Sequence, residues 1–258
     1  MSAPKKDNKD LIIPLTTLAI TLFLVVVYLV GISPQRDSSR TLTPSSSNDG
    51  QLSSSNLIDL PHPGKDSRLS VEQALSTRRS YRSFLDESVS LDNLSQLLWS
   101  AQGVTVNWGG RTAPSFKSAY PLTLYAIADN VSDLDQGIYQ YLPGDIQPIH
   151  QLTPVQLVDL QAILEQNTDQ YSLHHAPLII AITGDMEKMT QQNSGQHNDI
   201  AVYLEAGHVA QNLFLQSESL GLGMATISSF NQDTLKSVLH LPDNQTLIYL
   251  IPIGHPKK

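Results

Sequence analysis

The first 66 residues limit most strongly what this chain can fold into, because they remove a quarter of it from any globular core. No charged side chain occurs from Leu11 to Gln35, and Leu11 to Ile32 is almost wholly apolar. Twenty-two residues at a helical rise of about 1.5 Å span roughly 33 Å, enough to cross a hydrocarbon layer about 30 Å thick. Pro14 falls in the first turn, where its missing N–H costs little. The run Val-Tyr-Leu-Val-Gly-Ile offers no small-x-small cleavage site, so an uncleaved single-pass transmembrane helix is expected over 11–32. Lys5, Lys6 and Lys9 in the short tail 1–10 outnumber Arg36 and Arg40 beyond the span. That bias favours a cytoplasmic N-terminus and a periplasmic or otherwise extracytoplasmic C-terminal part.

Residues 33–66 run through Ser38, Ser39, Ser45, Ser46, Ser47, Ser53, Ser54 and Ser55, with Pro34, Pro44, Pro61 and Pro63 among them. Such a stretch buries too little surface to offset its ordering entropy and reads as a flexible linker. One domain is therefore expected over 67–258. The formal net charge of −8 argues against a nucleic-acid partner, which would require a basic face. The absence of cysteine excludes disulfides, zinc–thiolate sites, iron–sulfur clusters and thiol nucleophiles together.

Within the domain, Ser70-Val71-Glu72-Gln73 forms a capping box opening a helix toward Arg79. Ser90 caps a second helix, with Val89 and Leu94 as a hydrophobic staple and Gly103 as its stop. Strands are expected at Leu122–Ala128, Gly137–Leu142, Pro177–Thr183 and Leu247–Ile253. Thr153-Pro154-Val155-Gln156 matches another capping box, which predicts a further helix. The longest helix should run from Asp199 to Leu220, apolar on nearly every face. A helix of that kind is central to a large core or shared with a second subunit. Ala206, Gly207 and Ala210 would let a neighbour approach closely, which favours a homodimer. Helices and strands mix without strict alternation, which predicts an α+β fold.

Three segments could carry chemistry. Arg78-Arg79-Ser80-Tyr81-Arg82-Ser83-Phe84 puts three guanidinium groups and three hydroxyls within seven residues at a helix end. Guanidinium forks match phosphate oxygens, although a solvated basic turn would have the same composition. Gly109 to Pro121 is a loop of glycine, proline and small hydroxyl residues able to lie against a flat ligand. Glu205-Ala206-Gly207-His208 spells Glu-x-x-His, but carboxylate-bridged iron sites need two copies, so no metal site is expected. The sequence contains no Gly-x-Ser-x-Gly elbow, His-Glu-x-x-His pair or phosphate-binding Walker loop.

In order along the chain, the following stretches resemble the nitroreductase family, in particular its SagB-type dehydrogenases. They are Arg-Arg-Ser-Tyr-Arg-Ser-Phe at 78–84, Arg-Thr-Ala-Pro-Ser at 111–115 with Tyr-Pro-Leu at 120–122, and Gly-Ile-Tyr-Gln-Tyr at 137–141. They continue with Glu-Ala-Gly-His-Val-Ala-Gln-Asn-Leu at 205–213, Leu-Gly-Leu-Gly at 220–223 and Ile-Pro-Ile-Gly-His-Pro at 251–256. The resemblance implies a nitroreductase-like mixed sheet flanked by helices, FMN at the interface of a homodimer, and a small-molecule or peptide substrate. Arg78, Arg79 and Ser80 would grip the FMN phosphate, and Arg82 would face the pyrimidine edge and stabilise charge near N1 and O2. Pro114 and Ser115 would reach the ring from the partner subunit, with Lys117 as an added contact. Ser228 and Ser229 would present backbone N–H groups near N5 and O4, while Gly254, Lys257 and Lys258 would complete the phosphate cradle. Hydride would pass through N5 by a ping-pong cycle, with NAD(P)H or an oxidisable substrate as donor. The rival expectation is a membrane-tethered binding or scaffold protein whose flavin site has decayed. Phe116, Lys117 and Ser228 stand where smaller residues are usual in that family.

Overall fold

A computed structural model describes residues 57–157, 164 and 168–257. The expected membrane span, the tail before it and the linker up to residue 56 lie outside these residues. Among the described residues, no helix is long and apolar enough to cross a membrane.

The capping signals at Ser70 and Ser90 act as the sequence requires. Ser70 accepts a hydrogen bond from Gln73 N at 3.2 Å while Gln73 Oε1 accepts from Ser70 N at 3.0 Å. This closed box starts α1, Val71–Thr77. Ser90 caps α2, Leu91–Gln102, and the staple residues Val89 and Leu94 are fully buried beneath it. Three short helices follow, α3 (Tyr171–His174), α4 (Met186–Gln192) and, after the long helix α5 (Asp199–Ser219), α6 (Gln232–Val238).

Among the described residues, seven strands form one sheet: β1 (Ile58–Asp59), β2 (Leu122–Ala128), β3 (Gly137–Leu142), β4 (Gln151–Gln156), β5 (Leu178–Asp185), β6 (Gly223–Met224) and β7 (Gln245–Gly254). Their order is β1-β4-β3-β2-β5-β7-β6, with antiparallel pairing throughout. Central β5 is an almost unbroken run of buried residues, as a strand covered on both faces must be. One face packs on α2 and α5 through Leu124, Ala126, Ile180, Ile182, Leu97 and Val209. The other packs Tyr125, Ile127, Ile179 and Leu250 against Leu173 of α3 and Leu235 of α6. Gly184 permits that crossing, since a Cβ there would lie 2.5 Å from Val202 Cγ1 on α5.

The helix expected after Thr153 is instead strand β4. Pairing with β3 along its length outweighs a four-residue capping signal. Pro154 is tolerated because it lies opposite Tyr139 at a register shift, and β1 covers only Gln151 and Leu152. Proline in a sheet is confined to such edges and irregularities.

The domain also begins earlier than Ser67. Residues 57–66, expected to belong to the linker, are fastened to the body at several points. Ile58–Asp59 pairs with β4, Leu60 is buried, and Leu60 N donates to His150 O at 3.2 Å. Gln96 brackets Gly64 with two hydrogen bonds, at 2.8 and 3.0 Å. Ser95 Oγ donates to Pro61 O at 2.5 Å and so accepts from His150 Nε2 at 2.7 Å; His150 Nδ1 then accepts from Tyr141 Oη at 2.8 Å. That arrangement holds the imidazole neutral. Burial lowers its pKa, with the Pro61 carbonyl opposing and His62 adding to the shift. The unfolded chain takes up this proton at the ordinary value of 6.5, and the folded chain resists it. Stability from this cluster is therefore full above that value and is lost as pH falls through and below it. Urea midpoints should be lower at pH 5.5 than at pH 7.5, and His150→Asn should shrink the difference. An unchanged difference in that variant would exclude His150 as its source.

Candidate functional site

Chain topology draws three remote segments to one edge of the sheet. Leaving α1 at its cap residue Arg78, the backbone runs beside β6: Ser80 bridges to Met224, and Tyr81 N donates to Met224 O at 2.9 Å. On the other side, the chain after β7 runs antiparallel to 83–85. Leu85 N donates to His255 O at 2.9 Å, Phe84 bridges to Pro256, and Lys257 N donates to Ser83 O at 3.0 Å.

Two paired glycines make this convergence possible. Gly223 faces Gly254 in the β6–β7 ladder. A Cβ on Gly223 would lie 2.8 Å from Tyr81 Cβ and 2.9 Å from Pro256 Cβ. A Cβ on Gly254 would meet Pro177 at 2.9 Å and Phe84 Cβ at 3.1 Å. No side chain fits at either place without moving one of the segments.

The result is a basic edge. Arg78 is half-buried, its guanidinium 5.0 Å above the Phe214 ring of α5, which fixes its direction. Arg79 turns back to the end of α1, with Nη1 on the carbonyls of Ser76 and Arg78 at 3.0 and 2.9 Å. Ser80, Arg82 and Lys257 are exposed beside them. From Gly223 the chain follows β7 outward, Ile227 exchanging both backbone hydrogen bonds with Leu250 at 2.9 Å, and reaches the exposed pair Ser228 and Ser229. Five extended residues cover roughly 16 Å, about the reach of an extended flavin mononucleotide from phosphate to ring. Cationic forks at one end, an open backbone strip beyond them and no side chain at Gly223 or Gly254 fit that cofactor.

The loop holding Pro114, Ser115 and Lys117 is built differently. Three of its residues adopt left-handed backbone conformations, Lys117 (φ 50°), Ser118 (φ 53°) and Tyr120 (φ 43°). Each costs of order 1 kcal/mol or more and persists only where the surroundings impose it. Here they do. Lys188 Nζ donates to Tyr120 O at 2.9 Å, Gln192 Nε2 to Lys117 O at 3.0 Å, and Tyr120 N to Ser115 Oγ at 2.8 Å. Lys117 Nζ donates to Asn193 Oδ1 at 3.1 Å. Among the described residues, no hydrogen bond joins this loop to 78–84, 223–229 or 254–257. A single chain thus assembles Arg78, Arg79, Ser80, Arg82, Gly254 and Lys257 and keeps Pro114, Ser115 and Lys117 on separate supports. Lys258 lies outside the described residues.

Behind the loop is a buried polar chain that sequence reasoning missed. Arg111 stacks on the Tyr120 ring at 4.5 Å and donates from Nη1 to Gln102 Oε1 at 2.9 Å. Gln102 Nε2 in turn donates to Glu205 Oε1 at 3.2 Å. Glu205 is buried on α5; burial raises its pKa, against smaller lowering effects from Ser115, Gln102, Arg111 and Lys188. A signal did exist: Glu205 occupies the inward stripe of α5 with Val202, Ala206 and Val209, where a carboxyl needs a partner. The partnership with His208 does not occur: Glu205 is buried, and His208, three residues on, is exposed. Among the described residues, no group of acids and histidines is placed to hold a metal.

Comparison with known proteins agrees with this geometry. The model of the nitroreductase family matches residues 75–255. A protein of Methanocaldococcus jannaschii assigned to the nitroreductases is 31% identical over 189 residues, which cover 72% of this chain and 91% of that one. The structure of a Ralstonia eutropha protein with the same assignment superposes with a TM-score of 0.64 at 24% identity, covering 86% of this chain and 98% of its own. Another, from Desulfovibrio desulfuricans and solved with FMN, superposes with a TM-score of 0.50 at 21% identity over 73% of this chain and 87% of its own. The fold and its basic edge define an oxidoreductase that works through bound FMN. The chain belongs to the nitroreductase family.

Proposed function

We propose that this protein is a membrane-tethered oxidoreductase of the SagB-type branch, oxidising one substrate and reducing another through a shared FMN. The observation that carries it is the convergence of Arg78–Arg82, Gly223–Met224 and Gly254–Lys257 on one sheet edge. FMN, when bound, supplies two-electron chemistry, accepting hydride from a donor and passing it to an acceptor in a ping-pong cycle. The chain's residues bind and polarise. Arg78, Arg79, Ser80 and Lys257 hold the phosphate, and Arg82 supplies positive charge at the pyrimidine edge. Ser228 and Ser229 lie where backbone N–H groups line the far end of the strip.

Full-length protein should purify yellow or take up FMN stoichiometrically. Stopped-flow mixing with NADH, NADPH and a panel of reduced small molecules should bleach the flavin band with at least one donor. Colourless protein that takes up no FMN would instead support a tethered scaffold. The apolar run 11–32 and its flanking lysines support an extracytoplasmic domain, where NAD(P)H is scarce, so a donor other than NAD(P)H fits that topology. A topology reporter fused after Lys258 tests the orientation.

A homodimer completes the site in this reading, the loop at Pro114 and Ser115 serving the FMN of the partner subunit. What supports it is the outer stripe of α5, where Ile200, Tyr203 and Leu204 are 72, 50 and 60% exposed beside Gly207, above which a Cβ would meet nothing within 4 Å. Ala206 and Ala210, expected to form the close approach, face the protein's own core instead. Leu204→Glu should yield monomer in sedimentation and lower FMN affinity together. A dimer that persists unchanged would place the interface elsewhere.

A further inference from the structure

A cavity of about 290 Å³ lies where the end of α2 meets the start of β2 and the loop after β3. Leu122, Leu124, Leu142 and Ile149 give it apolar walls, and Arg111 and Lys188 bring two cations to it. The Arg111 side chain is only 9% exposed. Its Nη1 is taken by Gln102 and its Nη2 makes a longer 3.2 Å bond to Gly144 O, but Nε–H has no hydrogen-bond partner among the described residues. Its compensation is loose. Asp145 stands 3.9 Å away with a fully exposed side chain, and hydrogen bonding connects Arg111 to Glu205 by way of Gln102. A buried guanidinium without a close carboxylate is costly to keep, and an arriving carboxylate relieves that cost. Lys188 lines the same cavity and spends one N–H on Tyr120 O. An ammonium has three.

We propose that this cavity binds a small monocarboxylic acid with an apolar tail, its carboxylate held between Arg111 and Lys188. The walls suit a hydrocarbon body, as small-molecule sites generally do. Asp145 at the mouth disfavours a doubly charged anion. None of its lining residues belongs to 78–84, 223–229 or 254–257, and its Arg111, Tyr120 and Lys188 support the loop of Pro114 and Ser115 from behind.

Isothermal titration of the FMN-loaded full chain with hexanoate, against hexanol and inorganic phosphate, tests it. Hexanoate should bind at one site per chain without shifting the flavin absorption band, and neither control should match it. Lys188→Met should weaken binding about tenfold, by loss of one charge-assisted hydrogen bond. Asp145→Asn, at a fully exposed position, should tighten it about threefold by removing the competing charge. If Lys188→Met lowers the melting temperature of the unliganded protein, Asp145→Asn decides alone. The proposal is overturned if hexanoate binds no better than either control. It is equally overturned if affinity ignores Asp145→Asn, or if the flavin band moves on binding, which would put the acid on the ring.

Discussion

Arg78→Ala should lower FMN affinity about a hundredfold, near 2.7 kcal/mol. The size follows from two losses. A charge-assisted hydrogen bond to phosphate is worth about 1.5–3 kcal/mol. The guanidinium is also held in place before FMN arrives, half-buried and 5.0 Å over Phe214, so little rotamer freedom remains to be lost on binding. Arg78→Lys should fall between, keeping charge but losing the fork and much of the stacking. Arg79→Ala should cost less, because Arg79 must first leave the carbonyls of Ser76 and Arg78. Quenching of FMN fluorescence on titration with protein measures all three. An Arg78→Ala affinity within twofold of the parent would move the phosphate elsewhere.

Gly223→Val should both destabilise the fold, by about 3 kcal/mol, and abolish FMN binding. Its Cβ would press on Tyr81 Cβ and Cδ2, both at 2.8 Å, and on Pro256 Cβ at 2.9 Å. Atoms so close to the backbone cannot swing aside; the strands of the cradle would have to part. The comparison is Gly221→Ala. Gly221 has a left-handed φ of 71° but nothing within 4 Å. That change should cost only the conformational penalty, about 1 kcal/mol, and leave FMN binding intact. Urea unfolding with a flavin readout separates the two. Equal losses at both positions would mean that steric closure at Gly223 is not the cause.

What could be read from the sequence was whatever is enforced locally. Ser70 and Ser90 announce their helices through their own hydrogen bonds, and strands β2, β3 and β5 through mainly apolar runs. The arginine cluster was visible because three guanidinium groups crowd seven residues. Pro154 misled because strand pairing is non-local: only the presence of β3 beside it turns a cap signal into an edge strand. The arm at 57–66 was hidden for the same reason. Ile58 and Leu60 are too few apolar residues to show a period, and their partners lie about ninety positions along the chain. Gly254 was expected at the phosphate cradle and Gly223 only as part of a motif, yet the reason for both glycines lies in their facing each other. The Arg111–Gln102–Glu205 chain joins three elements that no spacing rule connects.

The placement of β1 has a mechanical consequence. The chain enters the sheet at one outer strand, and the basic edge with β6 is the opposite one, six strand spacings or roughly 29 Å away. Tension transmitted through the residues before Leu57 therefore loads the two-residue β1–β4 pairing and the Ser95–His150 contacts first. Once these give way, only Leu60 to Thr77 separates the pull from Arg78. Release of β1 is thus followed directly by load on the redox edge, so the short arm is the last support between tether and site.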